Sequence, residues 1–121
     1  NDLHLHLKKF DCNPSPCEPG IQDEAFRSIQ QWIGDNHIPG VKFVESPDNE
    51  HPKDFNITVT LLIQDDGTIR AAMYVGTFDE GTMPFRREAS RASLGAALQE
   101  IQKAADEHIS KLVVKKSERG F

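Results

Sequence analysis

Residues 85–101 read FRREASRASLGAALQEI, a run in which Arg86, Arg87 and Arg91 stand ahead of a stretch of alanine, serine, leucine and glycine. Ala89, Ala92, Ala96 and Ala97 are small enough to let a helix lie close against a sheet. Leu94, Leu98, Ile101, Ala105, Ile109 and Leu112 recur at helical intervals as one long apolar stripe. The pattern predicts a helix opening at Phe85 with its arginines at the N-terminus. Cations there oppose the helix dipole and call for compensation. Either a bound anion supplies it, or the carboxylates of Asp79, Glu80 and Glu88 do.

Working outward, FNITVTLLI (55–63) is the plainest strand. Phe55, Ile57, Val59, Leu61 and Ile63 fall on one face and Asn56, Thr58 and Thr60 on the other, as in a sheet covered on one side only. Asp65-Asp66-Gly67 marks a hairpin turn, and TIRAAMYVGTF is its antiparallel partner. DEGTMP then reads as a loop delivering the chain to the helix at Phe85. Upstream, VKFVES is a short strand followed by the turn-rich PDNEHPKD. From about Asp23, Phe26, Ile29, Trp32 and Ile33 form a helical stripe, with Gln30 and Gln31 on the opposite face and Pro39 forbidding continuation. DLHLHLKKF alternates Leu3, Leu5 and Leu7 with His4 and His6, a half-buried strand pattern.

The chain of 121 residues suits one domain, and no apolar run approaches membrane-spanning length. A net charge of -5 argues against attraction of the whole surface to a polyanion, so any such contact must come from a local cluster. Cys12 and Cys17 are open to three readings: a small disulfide loop, free thiols on an irregular segment, or a mixed zinc site with His4 and His6 whose spacing matches no common module. No cofactor motif is present. No Ser-His-Asp arrangement or phosphate loop can be set in a cleft, so the module is expected not to be an enzyme.

The order helix, three strands, helix, with RREASRASLGAAL opening the last helix and HPKDF setting His51 four residues ahead of Phe55, resembles the double-stranded RNA-binding domain over about Glu24–Lys103. The resemblance implies an α+β fold, α-β-β-β-α, with a three-stranded antiparallel sheet and two helices on one face. Residues 1–22 would then be an N-terminal extension with a strand-like arm, residues 23–112 the domain with a lengthened last helix, and residues 113–121 a basic tail.

It also implies binding of duplex RNA by shape and phosphates, with little sequence specificity. Arg86, Arg87 and Arg91 would meet phosphates at the helix start. Gln30 and Gln31 would reach one minor groove, and the loop with His51 and Lys53 the other. The expected setting is intracellular, within a larger RNA-processing or RNA-silencing protein such as an RNase III-type nuclease or a helicase. Ser90 stands where the family carries its third basic residue, and DNE replaces the Gly-Pro before the loop histidine. These departures carry a second expectation: a protein-interaction or dimerisation module working through the Leu98–Leu112 stripe.

Overall fold

The computed structural model describes residues 3–13, 15–35, 38–39, 41–44, 55–77 and 81–118. The elements run β1 (Leu3–Asn13), α1 (Pro19–Gly34), β2 (Val41–Val44), β3 (Phe55–Ile63), β4 (Ile69–Thr77), β5 (Gly81–Ala89) and α2 (Leu94–Glu118). The described strands form one five-stranded mixed sheet in the order β2-β1-β3-β4-β5. β1 runs parallel to both β2 and β3, while β3-β4 and β4-β5 are antiparallel. Helix α1 makes the crossover that parallel neighbours such as β1 and β2 require.

This architecture overturns the three-stranded antiparallel sheet expected from the resemblance. The N-terminal strand is no appended arm: it lies inside the sheet, paired along both edges. Its Leu/His alternation is visible in the sequence, but parallel pairing joins segments far apart in the chain, and local pattern carries no sign of it. The segment read as a loop followed by a helix start is instead β5, and α2 opens only at Leu94. Residues 113–118 continue α2.

The strand alternation of β3 holds as expected. Phe55, Ile57, Val59 and Leu61 are buried, and Thr58, Thr60 and Leu62 lie on the other face. One core joins them to Leu5 of β1, Ile69, Ala71, Met73 and Val75 of β4, Ile21, Ala25, Ile29 and Trp32 of α1, and Leu94, Leu98, Ile101, Ala105 and Ile109 of α2. Burying side chains of this size contributes roughly 1.5–3 kcal/mol each. The Leu98–Leu112 stripe is therefore spent within the chain, with Leu112 packed partly buried at its end.

Two polar contacts clasp the helices together. The Trp32 indole N–H donates to Asp106 Oδ1 at 2.7 Å, and Gln102 Nε2 donates to Ser28 Oγ at 2.8 Å. Cys12 at the end of β1 is bridged to Cys17, two residues before α1, the arrangement of the small disulfide loop among the three readings of this pair. α1 starts at Pro19, earlier than the stripe from Asp23 predicts, because proline suits the first helical turn, where its missing N–H is not needed.

Ser90 and Ser93 explain where α2 starts. The Ser90 N–H donates to Ser93 Oγ at 2.9 Å, and the Ser93 N–H to Ser90 Oγ at 3.2 Å. The Ser93 carbonyl accepts from the Ala97 N–H, so Ser93 is the N-cap residue. No described helix is long and apolar enough to cross a membrane.

Candidate functional site

In the β4-β5 ladder Arg86 faces Ala72 and Arg87 faces Ala71. Adjacent strand residues point to opposite faces, so the two arginines part company. Ala71 is in the core, and Arg87 turns with it toward the helices. Its Nε lies 3.3 Å from Glu100 Oε2 of α2, and its Nη1 donates to the Arg86 carbonyl at 2.7 Å. Arg86 projects from the other face, which no described helix covers, and its guanidinium carbon stands 5.8 Å from the centroid of the Tyr74 ring. Arg91 lies in the turn before α2 and is paired with the Glu24 carboxylate of α1.

The expected trio at a helix N-terminus is thus three separate environments, and the cations do not sit on the α2 dipole. Gln30 and Gln31 are exposed on α1, in the helical layer rather than beside Arg86. His51 and Lys53 lie outside the described residues. Among the described residues, no three His, Cys, Asp or Glu side chains gather as metal ligands.

What the fold does bring together is on the open side of β3, β4 and β5. Along β4, Arg70, Ala72 and Tyr74 alternate out of the core. Across from them stand Leu62 and Thr60 of β3, and Glu88, Arg86 and Pro84 of β5. Ala72 is short where its neighbours are long, and a hollow of about 490 Å³ opens around it. Arg70 Nε pairs with Glu88 Oε1 at 3.0 Å with both side chains more than half exposed, a contact worth little in water. Arg86, by contrast, has no carboxylate partner among the described residues, and only the Tyr74 ring attends it. Such an exposed cation–π contact is worth about 0.5–1 kcal/mol. The sequence holds the signal for this group: RAAMY on a strand already puts Arg70, Ala72 and Tyr74 on one face.

Among the described residues, β5 is also an edge of the sheet. Pro84 lies opposite Tyr74 and has no N–H for β4. In a regular antiparallel ladder it therefore takes a rung whose amide points away from β4, toward the open edge. Proline there blunts pairing with a further strand.

No family model and no curated protein matches this chain. Among solved structures, the N-terminal domain of Protein Y from Thermus thermophilus is similar at a TM-score of 0.52 and 15% identity, covering 88% of this chain and 97% of that one. The rare lipoprotein B of Shewanella oneidensis matches over 97% of this chain and 95% of that one, at 11% identity and a TM-score of 0.38, too low to bear on the argument. The Protein Y domain is not a double-stranded RNA-binding domain, and together with the mixed sheet it overturns that resemblance. The likeness to the Protein Y domain is one of fold alone.

Proposed function

We propose that this chain is a non-catalytic RNA-binding module that holds phosphates on the uncovered face of its sheet. The observation that carries the reading is Arg86, an exposed guanidinium with no carboxylate partner among the described residues, beside Tyr74 and the hollow over Ala72. An arginine free to fork onto phosphate oxygens, on a polar sheet face with Thr58, Thr60 and Arg70, suits a backbone contact with little sequence preference. The site thereby moves from a helix start to a strand face, and Arg87 and Arg91 leave it because they lie on the helical side, beside Glu100 and Glu24. The protein-interaction reading has less support: its apolar stripe is in the core, and the β5 edge is guarded by Pro84.

An intracellular setting goes with an RNA ligand, and there the cytosolic thiol pool would keep Cys12 and Cys17 reduced, the bridge forming only on oxidation.

The test is a titration of the folded chain with RNA, single-stranded and as a duplex of about 20 base pairs, at low and high salt. Binding that salt weakens and that Arg86→Ala reduces, with Gln30→Ala unchanged, is the expected result. Absence of binding to either RNA at low salt would sink the proposal.

A further inference from the structure

The same face has features that a phosphate contact alone does not use. Ala72 is 8% exposed and forms the floor of the hollow. Thr60 and Arg86 flank it across the strands, and Arg70 and Tyr74 stand two residues away on either side along β4. Leu62, 39% exposed, adds apolar surface at the rim. A depression of about 490 Å³ is within the range of roughly 300–1,000 Å³ in which proteins hold small flat ligands. The ring of Tyr74 is half-buried at its wall, and the guanidinium of Arg86 lies over that ring rather than on an acid. One side chain offers a π-face and the next a cation, and the alanine leaves room beside them for a base that takes the ring as the guanidinium moves off it.

We infer that this hollow receives one unpaired base of a single-stranded RNA, stacked on Tyr74 above Ala72, with the flanking phosphate on Arg86. The inference rests on the RNA-binding reading and narrows it from any RNA to single strands. In a duplex the bases are already stacked on one another, and A-form grooves offer a protein phosphates and 2′-hydroxyls instead of a free base face. A flat sheet carrying an aromatic ring and an unpaired arginine gains from a strand whose bases can splay out. The polyanion also meets the charge it needs: Arg86 has no carboxylate partner among the described residues, and Arg70 is released from Glu88 at small cost, since that pair is exposed.

The experiment measures affinities of the full chain for a labelled octanucleotide RNA and for a duplex of about 20 base pairs, by fluorescence anisotropy. The variants are Tyr74→Phe, Tyr74→Ala, Ala72→Val and Arg86→Ala. Circular dichroism and the emission of the single, buried Trp32 verify that each is folded. The single strand is expected to bind more tightly than the duplex. Tyr74→Phe should retain affinity because the ring suffices. Tyr74→Ala should weaken the single strand by roughly 5- to 100-fold without changing its salt dependence, because stacking involves no charge. Ala72→Val removes no contact and fills the floor, so it too should weaken the single strand.

Equal or tighter binding of the duplex overturns the inference. So does wild-type affinity in both Tyr74→Ala and Ala72→Val while Arg86→Ala binds poorly, an outcome that leaves a phosphate-only reading intact. Failure of the folded wild-type chain to bind either RNA removes the RNA-binding reading itself, and this inference with it.

Discussion

Gly76 has no space for a side chain. A Cβ at this position would come within 2.2 Å of the Gly81 carbonyl oxygen and 2.6 Å of Thr82 Cα, both backbone atoms that cannot swing aside. Glycine is thus what lets β5 fold back tightly on the end of β4, opposite Thr82. Gly76→Ala is expected to pry this end of the ladder apart at a cost of about 1–3 kcal/mol, the range of overpacking substitutions. Urea unfolding checks it, and an unchanged midpoint would refute the close approach. The β3-β4 turn is built as locally. Gly67 takes φ +88, and Asp66 Oδ1 accepts from the Thr68 N–H at 2.9 Å. Hydrogen bonds from the Thr68 backbone and side chain hold the Asp66 carboxyl below its ordinary value. A depressed carboxylate pKa contributes stability that is present above the unfolded-state value and fades as pH falls through the folded one. NMR titration should therefore find Asp66 with a midpoint below the ordinary aspartate value. Thr68→Val, which keeps the N–H and loses the hydroxyl, should raise it part of the way.

At the scale of elements, β5 is where reading the sequence and building the sheet diverge. Gly81–Ala89 contains a proline and three charges, its apolar alternation of Met83, Phe85 and Ala89 is broken by Arg87, and all but Phe85 and Ala89 are exposed. An edge strand lying over little core needs only a weak hydrophobic code, with its ladder to β4 to fix it. β3, buried on one side, carries the full alternation and is legible residue by residue. The helical stripe from Leu94 onward was equally legible. The nine residues before it, Phe85–Ser93, read as helix because Ala and Arg favour helices, while Ser90 and Ser93, which cap the real start, look unremarkable in a run of small residues. Of the candidate site, the type of residue was readable but its orientation was not. A helix would have grouped Arg86, Arg87 and Arg91 near one end; a strand sends Arg86 and Arg87 to opposite faces. The edge itself gives a prediction. Pro84→Thr restores an amide hydrogen at the rung facing outward and adds a β-favouring side chain. Sedimentation should then detect self-association that rises with concentration and exceeds that of the parent chain. A variant that stays as monodisperse as the parent would show that Pro84 does not guard this edge.

For the whole molecule, the question is how a chain of net charge -5 can hold a polyanion at all. Charge over the entire surface repels RNA, so attraction has to be local and short in range. The open sheet face offers Arg86 and Arg70, whereas Arg87 and Arg91 lie on the helical side of the sheet. Two phosphate contacts to a single strand give a slope of log affinity against log salt of about -1.4, far shallower than that of strongly basic nucleic-acid binders. Arg86→Ala should bring that slope close to -0.7, because one fewer counterion is released on binding. A charge placed in the helical layer acts differently. Glu107 is exposed on α2, and Glu107→Lys changes the net charge by two while touching nothing on the sheet face. It should tighten binding modestly at low salt, where the field of the whole molecule reaches the ligand, and leave affinity near that of the parent at high salt. A slope much steeper than -1.4, steepened further by Glu107→Lys and indifferent to Arg86→Ala, would move the binding surface from the sheet to the helices.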